Sequence, residues 1–125
     1  VSDSEHVEHL VFDYDSEKLI FLKTFQIFQR SLGDRAFSRL NAKQTDLADA
    51  FGIYHFEALT LGIQPILDQL SPDDEIQMAR LGEAIMSLKK ETVFIGFTIL
   101  FGKNSLGLLK RRVAFAAEKL STVLA

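Results

Sequence analysis

The sequence predicts an all-α protein: one compact, bundle-like domain of four or five helices. Three observations carry that expectation. Apolar residues recur at three- and four-residue intervals along much of the chain, which is the period of an amphipathic helix. Breakers are scarce, with 2 Pro and 7 Gly in 125 residues, so long helices run uninterrupted. Hydrophobic residues make up 47% of the chain and include 11 Phe, enough for one core at a length typical of a single domain.

Residues 1–14 follow neither the helical nor the strand period and read as an acidic lead-in, with the helical domain over 15–125. Asp15 or Ser16 is placed to cap the first helix, because a short side-chain oxygen accepts from the free N–H groups of the first turn. Phe21, Phe25, Phe28 and Leu32 share one helical stripe, Leu22 lies beside it, and Ile20 and Ile27 widen the buried arc. The spacing predicts a helix over 16–32, stopped by Gly33.

Asp34 caps a short turn through Phe37 to Leu40, and Asn41 to Gln44 is a polar connector. Thr45 or Asp46 opens a second helical region, clearest from Tyr54 to Ile63. Pro65 ends or kinks it, since proline lacks the donor and clashes with the preceding turn.

Ser71-Pro72-Asp73-Asp74 is a start signal: a capping Ser, Pro at the first helical position, then acids at the positive helix end. Met78, Leu81, Ile85 and Leu88 follow at helical spacing, and Lys89-Lys90 suit the negative end. The Thr92–Phe101 run has strand-favouring composition, yet no second strand pairs with it, so it reads as a buried helix. Asn104 or Ser105 caps the last helix. There Leu106, Leu109, Val113, Ala116, Leu120 and Val123 form the apolar stripe, with Lys110, Arg111 and Glu118 outward.

The chain has no Cys, which rules out disulfides and thiolate chemistry and points to the cytoplasm. No apolar run approaches the roughly 20 residues of a membrane span, and the acidic N-terminus lacks the basic region of a signal peptide. Charge is segregated along the chain. Residues 1–18 carry six acids against Lys18, while residues 89–125 carry seven bases against Glu91 and Glu118. That asymmetry implies an intramolecular complement or a basic face offered to an acidic partner.

No catalytic constellation emerges. His6 and His9 stand three apart amid Glu5 and Glu8, but a metal site needs three or four converging ligands, so no metal is expected. His55, beside Tyr54, Phe56 and Glu57, has no nucleophile-elbow Ser and no Cys to serve. It reads as a core or boundary histidine. Gly102-Lys103-Asn104-Ser105 resembles the end of a phosphate-binding loop. The first Gly is out of register, however, and Asn104 replaces the magnesium-binding hydroxyl. No cofactor is expected. No Arg precedes a His by four to six residues, the pattern of a helical ribonuclease class.

One constellation has functional appeal: the basic set Lys103, Lys110, Arg111, Arg112 and Lys119. Lys103 and Lys110 lie two helical turns apart and align, and phosphate contacts need only such loosely placed cations. Phe115, near Arg111 and Arg112, is a candidate contact residue or part of a wide core face.

Several short runs resemble the C-terminal half of GmrSD-type bacterial defence proteins. They are Phe21-Leu22-Lys23 through Phe25, Leu32-Gly33-Asp34-Arg35-Ala36-Phe37, and Phe56-Glu57-Ala58-Leu59-Thr60-Leu61-Gly62. The ending, from Gly102-Lys103-Asn104-Ser105 to Lys110-Arg111-Arg112-Val113, is similar to that family's last helix. In that family a ParB-like nuclease or nucleotide-hydrolysing domain lies upstream and the helical part is accessory. With a chain that begins at Val1, the resemblance implies an excised C-terminal domain that carries no catalytic residue. The expected function is thus a non-catalytic accessory module of a larger restriction-like protein. Its partner would be the rest of that polypeptide, a partner protein or nucleic acid, with no membrane. The alternative is a freestanding oligomerisation or regulatory module completed by a second copy.

Overall fold

The computed structural model describes residues 13–99 and 106–125. In chain order they form α1 (Tyr14–Leu32), a 3₁₀ turn (Gly33–Arg35), β1 (Ser38–Leu40), β2 (Leu47–Phe51) and α2 (Ile53–Gly62). A 3₁₀ segment (Gln64–Gln69), α3 (Glu75–Lys90), α4 (Thr92–Ile99), α5 (Leu106–Ser121) and a closing 3₁₀ turn (Thr122–Leu124) follow. The all-α expectation is therefore corrected. The chain is mainly α, with a two-stranded antiparallel sheet inserted between α1 and α2.

The sheet replaces both the expected short turn and the first part of the expected second helix. Its register is irregular: Ser38 faces Phe51 and Leu40 faces Leu47 across an intervening bulge. The connection is tightened by Asn41, whose side chain accepts from the Thr45 N–H at 3.0 Å. Gln44 completes the turn in the left-handed region, at φ 56°. Distant cations hold the strands. Arg35 donates to the Leu47 carbonyl at 2.6 Å and faces Asp46 and Asp49. Lys89, on α3, donates to the carbonyls of Ala36 (2.6 Å) and Ser38.

Helix termini follow the predicted chemistry with shifted addresses. Asp13, not Asp15 or Ser16, caps α1, accepting from the Ser16 N–H at 3.2 Å. Gly33 ends that helix at φ 77°, where a side chain would be strained. Asp74, not Ser71, caps α3, and Ser71-Pro72 form the turn before it. The expected caps of the last helix, Asn104 and Ser105, lie outside the described residues. So do His6, His9 and most of the lead-in.

The core sits where α1, α2, α3 and α5 meet, with α5 packed on α2 and α3 on α1. Met78, Leu81, Ile85 and Leu88 are all buried, as their spacing predicts, with Ile27, Phe28, Leu59, Ile63, Phe94, Ala116 and Leu120. Two glycines permit the close approaches. A Cβ at Gly82 would meet the Ser31 carbonyl oxygen at 2.5 Å, and one at Gly62 would meet Ala116 Cβ and Ala117 N at 3.1 Å. The Thr92–Ile99 run is helical, and Phe94 anchors it in the core.

Candidate functional site

The basic set divides in three dimensions. Lys110 and Arg111 are exposed. Arg112 is buried, its guanidinium carbon 4.0 Å from the centre of the Tyr54 ring. Lys119 is half-buried and pairs with Glu91 at 3.5 Å. Lys103 lies outside the described residues. Of the four described cations of that set, two neighbours, Lys110 and Arg111, are thus exposed. Phe115 stacks on Phe94 with centroids 6.4 Å apart, which assigns it to the edge of the core.

Six phenylalanines form a continuous aromatic seam. Phe37 lies within 6.3 Å (centroid to centroid) of Phe25, Phe28, Phe51 and Phe56, and Phe21 leans on Phe25 at 4.6 Å. At the inner end Phe28 is buried, whereas Phe21 remains 59% exposed. Residues 14–22 of α1 bury no side chain at all, though they include Tyr14, Leu19, Ile20, Phe21 and Leu22. Between this overhang and α2 runs a groove of about 470 Å³. Ile20, Phe21, Phe25, Phe56 and Leu61 form its apolar wall, with Glu17 also lining it and no cation among the described residues. Gln64 closes the far end, donating to the Thr24 hydroxyl at 3.1 Å and the Thr60 carbonyl at 2.9 Å.

A second concavity, of about 210 Å³, lies under the β1–β2 connection and is lined by Arg39, Asn41, Gln44, His55, Lys89 and Ile95 among others. His55 is 5% exposed and packs edge-on against Phe94. Burial, then the Lys89 charge, then the Arg39 charge push its pKa down to about 3. Burial likewise pushes Lys89 down to about 7. Among the described residues no hydrogen bond joins His55 to a hydroxyl or a carboxylate, and its Nδ1 is buried without a partner. A general base works best with a pKa near the operating pH and within hydrogen-bond reach of its proton. This imidazole is neutral at pH 7 with no nucleophile beside it. The sequence had marked His55 but not Lys89, whose address at the end of α3 looks like ordinary helix-end chemistry.

Among the described residues no group of His, Asp or Glu is placed to hold a metal ion, and no helix is long and apolar enough to cross a membrane. No family model, curated protein or solved structure matches the chain. The GmrSD-type resemblance rests on its short motifs alone.

Proposed function

We propose that this chain is a non-catalytic helical interaction module that docks a partner helix in the α1–α2 groove. The groove carries this reading. Ile20 and Phe21 of α1 line it at 41% and 59% exposure, with Leu61 of α2 at 48%, and apolar surface left in solvent along a groove marks an interaction site. An amphipathic helix laid in the groove would cover these side chains. Glu17 in its lining, with Asp13 and Asp15 in the same turns, favours a partner helix with a basic flank. The resemblance to GmrSD-type proteins supports taking that helix from the nuclease-bearing part of a bacterial defence protein, which the module would position.

Calorimetric titration of the chain with the ParB-like portion of a GmrSD-type protein from the same genome tests this. Saturable binding is expected, weakened at least about tenfold by Phe21→Ser with Leu61→Ser, while thermal stability stays close to that of the parent. Absence of binding, or binding indifferent to both changes, overturns it.

Self-association is the second reading, favoured by Leu19 and Leu22. These lie three residues apart on one stripe, outside the groove wall, and both are exposed. Sedimentation equilibrium separates the two: a dimer dissociated by Leu19→Ser with Leu22→Ser supports this reading, and a monomer at all concentrations removes it. Nucleic-acid contact rests on Lys110 and Arg111. It predicts salt-dependent binding lost when both become Glu.

A further inference from the structure

The cavity under the β1–β2 connection plays no part in the groove's docking role, yet its lining has a one-sided chemistry. Arg39 and Lys89 bring two cations, Asn41 and Gln44 two amides and His55 an imidazole, and among the described residues no carboxylate lines it. The cost falls on Lys89, a buried cation with no counter-charge that has lost its hydration, while Arg39 stands exposed at the cavity mouth. Lys89 is 1% exposed. Its ammonium has three N–H groups, of which the Ala36 and Ser38 carbonyls take two. Arg39 makes no ion pair among the described residues. The unpartnered Nδ1 of His55 adds a further polar atom whose hydrogen bonding is incomplete.

We propose that this cavity binds a small oxyanion, a carboxylate or phosphate group, held between the Arg39 guanidinium and the Lys89 ammonium. The guanidinium's planar fork matches either group with two parallel hydrogen bonds, and Lys89, which also lines the cavity, contributes a point charge. The volume, about 210 Å³, admits an ion the size of acetate or phosphate. Occupancy also stabilises the charged form of Lys89, whose pKa burial holds near 7. Binding at pH 8 therefore draws a proton from solution. The other charged or titratable groups facing the cavity are Arg39 and His55.

The intact chain is titrated with sodium phosphate and, separately, with sodium acetate, ionic strength being held constant with sodium chloride. The His55 ring resonances are followed by NMR. A saturable shift is expected with at least one of the two anions, and proton uptake at pH 8 is expected by calorimetry in two buffers. Arg39 is exposed, so Arg39→Gln leaves the fold intact and is expected to weaken binding at least about tenfold, the loss of one charge-assisted contact. Saturation by phosphate alone assigns a phosphoryl ligand, and by acetate alone a carboxylate. Shifts no larger than chloride produces, or saturation unchanged in Arg39→Gln, overturn the proposal.

Discussion

Arg112 lies over the face of Tyr54, its guanidinium carbon 4.0 Å from the ring centre, and no part of the arginine reaches solvent. Three consecutive bases point in different directions on a helix, and this one points inward, joining α5 to α2. A desolvated cation–π contact contributes about 2 kcal/mol or more, and truncating the long side chain also opens a void. Arg112→Ala is expected to lower the unfolding free energy by about 2–4 kcal/mol in urea. A double-mutant cycle with Tyr54→Leu should return about 2 kcal/mol of coupling. Arg111→Ala, one residue earlier and exposed, should change stability by less than about 0.5 kcal/mol.

Acid should destabilise the fold through His55. Its folded pKa, about 3, lies below the ordinary value of 6.5, so between those limits the unfolded chain binds more protons. Stability then falls as pH drops from 6.5 towards 3, by at most about 1.4 kcal/mol per pH unit from this group. Lys89 acts in the same sense at higher pH: with a folded pKa near 7 against 10.5, stability rises as pH increases through that interval. Thermal melts from pH 4 to 9 should show both slopes. The acid-side slope should flatten in His55→Gln, and a slope unchanged in that variant would contradict the assignment.

Gly82→Ala should destabilise despite alanine's better helix propensity. The new methyl would stand 2.5 Å from the Ser31 carbonyl oxygen, and backbone cannot move aside as a flexible side chain can. The propensity gain of about 1 kcal/mol is outweighed by an overpacking cost of about 1–3 kcal/mol together with the displaced α1–α3 contact. Chemical denaturation should show a lower midpoint with an unchanged slope.

Phe37→Ala removes the ring that joins the aromatic seam, since Phe37 meets Phe25, Phe28, Phe51 and Phe56. A loss of about 2–4 kcal/mol is expected. Phe21→Ala, at the exposed end, should cost less than about 1 kcal/mol in the isolated chain. The contrast between these two variants separates rings that hold the fold from one left for a partner.

The regular helices were legible because their signals are local. The Met78, Leu81, Ile85 and Leu88 spacing, the Gly33 stop and the acidic starts of α1 and α3 each act within a few residues. The strand-like Thr92–Phe101 run, read as a buried helix, is helical over its described part, Thr92–Ile99, though Val93 is exposed and Phe94 alone of its described side chains is fully buried. Pattern also located His55, but not the cavity it lines.

What the sequence determined by itself was a mainly helical chain on a Phe-rich core, since periodicity and capping are properties of adjacent residues. The tertiary structure decided that residues 38–51 form a sheet. Lys89 reaches back 53 residues to the Ala36 carbonyl, and Arg35 captures the Leu47 carbonyl 12 residues on. Those long-range donors satisfy backbone groups that a local reading would give to a helix. The same packing decided which cations stay in solvent. Arg112 turns inward, Lys119 pairs with Glu91, and Arg39 and Lys89, distant in sequence, line one cavity. Charge in sequence counts residues, whereas charge in a fold depends on which of them have lost their water.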